Sequence, residues 1–321
     1  MKVLENLPLS EITYYHIGGN SRYILKVADK NDLLEAISFL HDKKIKEHLI
    51  VGLGSNVIFN DTDYSGAVIW LEGDGSSLEL CDESKVRVFA GEFMDSLIQF
   101  SFKQSLVGLE WAGGLPSTVG GAVRGNAGCF GSEIKDTVIG VDVIDSSDPT
   151  MSIKHYTITE SQFAYRDTYF KHHPELIIVS AIFQLQKADD RELTQAKEVY
   201  QANIAYRQKN HPMEYPSCGS VFKNIVKKDE VEKILSVWPD VRELSEGKWH
   251  NKIAVGYIIN RLGFTQRRIG GAMVSAKHSN YIVNVDHAKA RDVRLLMKEI
   301  HEKFVDTFGF PPEPEVVIIK D

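Results

Sequence analysis

Two glycine-rich segments have residue types and spacing suited to binding phosphate groups. The first is Gly52-Leu53-Gly54-Ser55-Asn56, which follows a short apolar run. Glycines at a turn let consecutive N–H groups converge on a phosphate oxygen, and Ser55 and Asn56 add side-chain donors. The motif is not a dinucleotide fingerprint, because Val57 stands where a third glycine belongs, and no Gly-Lys-Ser/Thr follows as in a P-loop. Taken alone, this motif predicts only a hairpin turn.

The second segment, residues 108–131, holds 8 of the 24 glycines in the chain. This density predicts neither a regular helix nor a regular strand, because glycine is costly in both. Interleaved apolar residues would let the segment pack, and a long ordered loop is usually functional. Together the two segments could hold a pyrophosphate from both sides. The candidate cofactor contacts are Gly52, Gly54, Ser55, Asn56, Ser117, Thr118, Gly120, Asn126 and Gly128.

Composition and charge narrow the class of protein. The 321 residues exceed the usual size of one hydrophobic core, which predicts two or three domains. The net charge of -7 argues against a nucleic-acid binder, which needs a basic face. No stretch approaches the length of a membrane span, and the N-terminus lacks a signal-peptide pattern. With three scattered cysteines and no zinc-ligand spacing, we expect a cytoplasmic protein without a metal site.

Hydrophobic periodicity predicts the elements that must position these segments. Helices are expected at 31–45, capped by Asn31, and at 92–106, 190–209, 253–262 and 289–308, with Gly263 and Gly309 ending the last two. Strands are expected on both sides of the first glycine-rich turn and at 66–71, 85–91, 137–145, 176–186, 281–284 and 315–319. This pattern predicts an α+β protein. We expect a nucleotide-binding region at 1–210, divided near residue 72, and a smaller C-terminal α/β domain at 211–321.

Seven motifs then follow one another along nearly the whole chain. They are TYYHIGG, GLGSNVIFND, GGLPSTVGGAVRGNAGCFGSEI, AYRDTYFK, PSCGSVFKN, RIGGAMVSAKHSNYIVN and EPEVVII. In this order they resemble the UDP-N-acetylenolpyruvoylglucosamine reductase family. The helical stretch that leads directly from AYRDTYFK into PSCGS resembles its shorter subtype, which lacks an extra tyrosine loop.

The resemblance implies a fold and a reaction. The fold would be a FAD-binding domain of the vanillyl-alcohol-oxidase type followed by a C-terminal substrate domain. The reaction would be NADPH-dependent reduction, through bound FAD, of the enolpyruvyl group of UDP-N-acetylglucosamine enolpyruvate in peptidoglycan precursor synthesis. The flavin would be held non-covalently, because neither His16 nor Cys129 lies in a recognised attachment motif.

The resemblance also implies residue roles. Arg166, in AYRDTYFK, matches the arginine that faces the substrate carboxylate, which a guanidinium can bind with two hydrogen bonds. Ser220, in PSCGSVFKN, matches the proton donor, and its neighbour Ser217 is the competing candidate. Glu315, in EPEVVII, matches a second acidic partner, with Glu313 as its competitor.

Further matches concern the substrate and the second glycine-rich segment. Asn224, with Lys223 before it, resembles a contact to the substrate diphosphate. Ser117 stands where the family usually has glycine, and an extra residue lies near Gly113-Gly114. These departures affect the detailed flavin contacts of that segment.

Two alternatives from other classes stay open at this point. Another FAD oxidase or dehydrogenase of the same fold would lack the C-terminal arrangement of Ser220 and Glu315. A sugar-nucleotide-binding protein without activity would be colourless. The sequence makes no prediction of the oligomeric state.

Overall fold

The computed structural model describes residues 1–319, and contacts divide the chain into two compact units. The first unit consists of Met1–Leu7, Ser21–Leu53 and Tyr64–Lys209. The second consists of Pro8–Asn20, Gly54–Asp63 and Asn210–Asp321. Two short N-terminal segments thus belong to the same unit as the C-terminal third of the chain.

In chain order, the strands among the described residues are β1 (Lys2–Pro8), β2 (Asn20–Val27), β3 (His48–Val51), β4 (Val57–Ile58), β5 (Tyr64–Leu71), β6 (Leu78–Leu80), β7 (Lys85–Phe89), β8 (Leu106–Val107), β9 (Gly128–Cys129), β10 (Ser132–Glu133), β11 (Val138–Asp145), β12 (Ile153–Thr157), β13 (Leu176–Gln184), β14 (Gln186–Lys187), β15 (Ser217–Ser220), β16 (Arg268–Ile269), β17 (Ala272–Val274), β18 (Tyr281–Asn284) and β19 (Val317–Ile318). The α-helices are α1 (Lys30–Asp42), α2 (Met94–Lys103), α3 (Val119–Arg124), α4 (Ile158–Ser161), α5 (Tyr169–His172), α6 (Asp190–Asn210), α7 (Lys228–Val237), α8 (Val255–Arg261) and α9 (Ala290–Phe308).

The first unit contains two main sheets that share one hydrophobic core. One sheet has the strand order β1-β2-β5-β3, and both β2 and β3 run parallel to β5. The other has the order β12-β11-β13-β7-β6 and is antiparallel. Helix α1 connects β2 to β3 and buries Leu33, Ile37 and Leu40 in the core, as expected for a crossover between parallel strands.

The second unit is built on an antiparallel sheet with the order β15-β18-β17-β16. Helix α9 packs its apolar stripe into the core of this unit. Strand β4, in the segment 54–63, pairs in parallel with β19 near the C-terminus. Asp61, in the same segment, accepts hydrogen bonds from the N–H groups of Ala290 (2.7 Å) and Arg291 (3.1 Å). Its carboxylate therefore caps the start of α9.

The predicted long helices correspond to α1, α2, α6, α8 and α9, but one capping residue was wrong. Asn31 lies inside α1, whereas Asp29 is extended and accepts a hydrogen bond from the N–H of Asp32 at 2.8 Å. Gly309 follows α9 with φ of 77° and Gly263 follows α8 with φ of 86°, in the left-handed conformation typical after helix ends.

The expectation that residues 108–131 contain no regular helix was also wrong. Helix α3 lies within them and begins after Thr118, whose side chain accepts a hydrogen bond from the N–H of Gly121. A Cβ added at Gly120 would lie 2.8 Å from the Cβ of Ala90. Glycine at this position permits close packing of α3, a tertiary gain that outweighs its low helix propensity.

Candidate active site

Within the first unit, Gly52 of the first glycine-rich segment lies against the second segment. Gly52 follows the end of β3, and a Cβ added there would lie 2.3 Å from Oγ1 of Thr118. No side chain larger than hydrogen fits at residue 52 without displacing Thr118. The structure thus brings Gly52 and Thr118 together, as expected if both face one ligand.

Hydroxyl groups surround the start of α3. Buried Thr118 accepts from Gly121 at 3.3 Å, and its own hydroxyl proton has no acceptor among residues 1–319. The hydroxyl of Ser117 donates to the carbonyl of Thr118 at 2.8 Å. A Cβ added at Gly121 would meet only these two hydroxyls, at 3.2 and 3.4 Å. A buried donor beside a surface without side chains fits a phosphate-containing cofactor such as FAD.

Asn126 and Gly128, also proposed as cofactor contacts, lie against a neighbouring strand. Asn126 is fully buried, and its Nδ2 donates to Oε2 of Glu133 (2.6 Å) and to the carbonyl of Ala164 (2.8 Å). A Cβ added at Gly128 would lie 2.7 Å from the Cβ of Glu133. Sequence reasoning did not foresee that both N–H groups of the Asn126 side chain bind protein acceptors.

Arg166 lies at the tip of a tight turn in the first unit. Ala164 and Asp167 close this turn with reciprocal main-chain hydrogen bonds of 2.9 and 3.2 Å. Arg166 has φ of 56°, and its guanidinium donates to the carbonyls of Gly128 (2.5 Å) and Asn126 (3.4 Å). These bonds hold the guanidinium against the second glycine-rich segment.

In the second unit, Ser220 follows a β-bulge. Strand β15 pairs Ser217 with Val283 and Ser220 with Tyr281, which leaves one extra residue on β15. Gly219, within the bulge, has φ of 76°. Bulges bend a strand and re-aim the next side chain, and they are frequent beside active sites.

The bulge separates the two candidate serines. Ser217 is buried, and its hydroxyl accepts a hydrogen bond from the N–H of Gly219 at 3.5 Å. Ser220 is half-buried. Cys218, between them, is 1% exposed, and burial raises the pKa of its thiol. The thiol therefore stays protonated in the core, which leaves Ser220 as the accessible polar side chain of this strand.

The segment that carries Glu315 lies directly beside the segment that follows Ser220. The N–H of Glu315 donates to the carbonyl of Val221 at 2.9 Å, and Phe222 and Pro314 form an antiparallel bridge. Glu315 is half-buried. The structure therefore brings the Ser220 and Glu315 motifs together within one unit.

Lys223 and Asn224 extend from the same segment. Nζ of Lys223 donates to Oε1 of Glu313 at 2.6 Å, which engages the competitor of Glu315 in an ion pair. Asn224 is exposed, and its Oδ1 accepts a hydrogen bond from the N–H of Val255 at 3.1 Å, at the first turn of α8. The side chains of Lys223 and Asn224, the two proposed substrate contacts, thus each make a hydrogen bond within the protein.

The predicted contacts of the first glycine-rich turn divide between the two units, because the chain passes from one unit to the other after Leu53. In the second unit, Gly54 has φ of 60°, and a Cβ there would lie 2.8 Å from Cα of Thr13. A Cβ added at Gly219 would lie 3.8 Å from the carbonyl oxygen of Ser55. Nδ2 of Asn56 donates to the carbonyl of Glu315 at 3.3 Å.

Sequence reasoning missed Asn280, which holds the segment after Ser220. This buried side chain donates to the carbonyl of Phe222 (2.7 Å) and accepts from its N–H (3.1 Å). The carbonyl of Asn280 also accepts from the N–H of Val221 at 2.8 Å. A polar residue immediately before the predicted strand 281–284 was the only sequence signal of this role.

Comparison with protein families agrees with this arrangement. The model of a FAD binding domain matches residues 21–151, and that of the C-terminal domain of UDP-N-acetylenolpyruvoylglucosamine reductase matches residues 211–319. The protein is thus a flavin-dependent oxidoreductase.

Relatives and a solved structure extend the match over the whole chain. The UDP-N-acetylenolpyruvoylglucosamine reductase of Synechococcus sp. (strain WH7803) is 33% identical, covering 97% of this chain and 91% of the relative. That of Chlamydia trachomatis serovar L2 is 32% identical, covering 99% and 96%. The crystal structure of the Thermus caldophilus reductase covers both chains fully, with 25% identity and a TM-score of 0.75. The chain belongs to the UDP-N-acetylenolpyruvoylglucosamine reductase family.

Family membership confirms several predictions made from the sequence. The fold is α+β with a FAD-binding domain, and the enzyme uses FAD and NADPH. It reduces the enolpyruvyl group of its UDP-sugar substrate in peptidoglycan precursor synthesis. Among residues 1–319, no helix has the length and apolar character required to cross a bilayer.

Proposed function

We propose that Ser220, Arg166 and Glu315 carry the chemistry of the reduction. The observation that carries this proposal is the bulge at Gly219, which directly precedes the half-buried Ser220, together with the hydrogen bond from the N–H of Glu315 to the carbonyl of Val221. Polar side chains on a half-buried, irregular strand end are costly for a fold and are typical of catalytic sites.

FAD held by the residues named below would supply hydride, taken from NADPH, to the terminal carbon of the enol ether. Negative charge then develops on the carboxylate side of the substrate as an enolate. The guanidinium of Arg166 stabilises this charge, because it stays protonated and offers donors in a planar fork. Its bonds to the carbonyls of Gly128 and Asn126 fix its orientation beforehand.

Ser220 then donates its hydroxyl proton to the enolate carbon. A serine hydroxyl is a weak acid, but an enolate carbon is a strong base, so transfer within hydrogen-bond reach is feasible. Glu315 assists by polarising the enolate or a water molecule. Ser217 is a poorer candidate, since it is buried.

The remaining predicted residues serve binding. We assign Thr118, with its unused hydroxyl proton, and the bare backbone of Gly52 and Gly120 to the FAD phosphates. Ser117, Gly54, Ser55, Asn56 and Gly128 complete the candidate cofactor contacts. Lys223 and Asn224 are candidate contacts for the substrate diphosphate, in which case the phosphates compete with Glu313 for the Lys223 ammonium.

We infer that the two regions divide these tasks, with FAD bound mainly by residues 1–210 and substrate mainly by residues 211–321. The protein acts in the cytoplasm, which agrees with its three unpaired cysteines, Cys81, Cys129 and Cys218, because a reducing compartment keeps thiols free.

Replacing Ser220 tests the proton-donor assignment. We expect Ser220→Ala to leave flavin reduction by NADPH unchanged, because the hydroxyl has no part in that step. Reoxidation of the reduced enzyme by the enolpyruvyl substrate should slow by at least ~10²- to 10⁴-fold, the range for lost general acid catalysis. Anaerobic stopped-flow absorbance measures both half-reactions separately.

Ser217→Ala and Ser220→Cys are the matched controls. The reoxidation rate of Ser217→Ala should lie within about twofold of the wild-type rate. A hydroxyl that takes no part in the reaction affects stability and not the rate. Ser220→Cys should recover part of the lost rate, because a thiol can still donate a proton. Wild-type reoxidation by Ser220→Ala, with normal product, would sink the assignment.

A further inference from the structure

Asn126 is enclosed by protein and has no N–H left for a ligand. Its side chain is 0% exposed and donates to Oε2 of Glu133 at 2.6 Å and to the carbonyl of Ala164 at 2.8 Å. Its Oδ1 accepts from the N–H of Lys135 at 3.1 Å. Because a carboxamide has only two N–H donors, both are committed to the protein itself.

One of these bonds, the bond to Ala164, ends on the turn that carries Arg166. Ala164 and Asp167 close the turn, with Tyr165 and Arg166 at its tip. The side chain of Asn126 binds the carbonyl at the base of this turn, while the main-chain carbonyl of Asn126 accepts from Nη1 of Arg166 at 3.4 Å. A single residue therefore binds both the turn and the guanidinium.

The backbone of both residues is held in the left-handed region. Asn126 has φ of 42° and Arg166 has φ of 56°. Asparagine tolerates this region, but a long side chain such as arginine occupies it only where surrounding contacts enforce it. The hydrogen bond from the Asn126 side chain to the carbonyl of Ala164 supplies such a contact. Displacement of a reacting group by about 1 Å can cost ~10²-fold in rate, so this fixation has a chemical consequence.

We propose that Asn126 is a positioning residue for Arg166 and not a direct contact to the cofactor. It holds the turn at Ala164 and so fixes the guanidinium for the substrate carboxylate. This inference rests on the role proposed above for Arg166. It locates the effect of Asn126 in the half-reaction that uses the carboxylate, and not in flavin reduction.

A double-mutant cycle on the full-length FAD-loaded protein tests the proposal. Asn126→Gly removes the side-chain bonds and keeps the left-handed backbone accessible. We expect it to slow reoxidation by the enolpyruvyl substrate about 10- to 100-fold, with flavin content and the rate of reduction by NADPH unchanged. In an Arg166→Ala background the same change should lower the rate less than about twofold, because the residue it acts through is already absent.

Two further variants keep the test informative if Asn126→Gly folds poorly. Glu133→Ala removes one of the two acceptors of Asn126 and should produce a smaller loss in the same half-reaction. Asn203→Ala is the matched control, because Nδ2 of Asn203 donates to the carbonyl of Glu110 at 3.0 Å, outside the Arg166 turn. It should leave both half-reactions at wild-type rates.

Three outcomes would overturn the proposal. Equal loss of rate in both backgrounds would mean that Asn126 acts independently of Arg166. Loss of bound FAD with an unchanged reoxidation rate would make Asn126 a cofactor contact after all. Reoxidation at the wild-type rate by Arg166→Ala alone would show that Arg166 takes no part in the reaction. The positioning role of Asn126 would then fail together with the role proposed for Arg166, whereas in the other two outcomes the role of Arg166 still stands.

Discussion

At the scale of single residues, the two glutamates of the C-terminal motif differ in their contacts. Glu313 is exposed and its carboxylate binds the ammonium of Lys223, whereas the main chain of Glu315 is bonded to Val221 and Asn56. An exposed ion pair contributes at most about 1 kcal/mol to stability. The two glutamates therefore have different hydrogen-bond partners, although they are only two residues apart in the sequence.

Neutralising each glutamate in turn tests which one takes part in the reaction. We expect Glu315→Gln to slow reoxidation by the substrate about 10- to 100-fold, because a neutral amide polarises an enolate or a water less effectively than a carboxylate. Glu313→Gln should change this rate less than about threefold, although release of Lys223 can alter the KM for substrate. Stopped-flow absorbance compares the two variants, and a larger loss in Glu313→Gln would reverse the assignment.

The roles of Arg166, Ser220 and Glu315 could be proposed from the sequence because the motifs that contain them resemble those of the family. Asn126 was predicted only as a donor near the cofactor. Its bond to the carbonyl of Ala164 joins residues that are distant in sequence. A single sequence does not contain such pairings, so the positioning role needed the structure.

At the scale of elements, the bulge in β15 governs where Ser220 lies. It depends on Gly219 with φ of 76°, and a Cβ at this glycine would meet nothing closer than the carbonyl oxygen of Ser55 at 3.8 Å. Substitution there would be costly through backbone strain and not through a clash. A left-handed alanine costs about 1–2 kcal/mol.

Gly219→Ala should therefore change both stability and catalysis. We expect a loss of about 1–2 kcal/mol in the free energy of unfolding, together with slower reoxidation by the substrate, because the strand relieves strain by re-aiming Ser220. Gly309→Ala is the matched control, with φ of 77° and nothing within 4 Å of its added Cβ. It should lose similar stability in urea unfolding and keep the wild-type reoxidation rate. Equal rates for both variants would argue against the bulge as a catalytic device.

Elements with a continuous apolar stripe, such as α9, were predictable because periodicity alone defines them. Helix α3 and the bulge were not, because each depends on a tertiary contact. In α3 that contact is the approach of Gly120 to Ala90. The cap of α9 by Asp61 is a further case, since no local signal links residues so far apart.

At the scale of the whole molecule, the sequence order and the spatial units differ. The segments 8–20 and 54–63 belong to the unit formed by the C-terminal third. Tyr15, for example, is fully buried and donates to the carbonyl of Ile282 at 2.7 Å. The motif TYYHIGG and all but the first two residues of GLGSNVIFND thus lie in the same unit as the C-terminal motifs.

An anaerobic two-step titration of the purified wild-type enzyme tests the central claim most directly. Addition of NADPH should bleach the flavin absorbance near its visible maximum, and the enolpyruvyl UDP-sugar should then restore the absorbance in equimolar amount, with formation of UDP-N-acetylmuramate. A flavin that NADPH reduces but that only oxygen, and not this substrate, reoxidises would contradict the account.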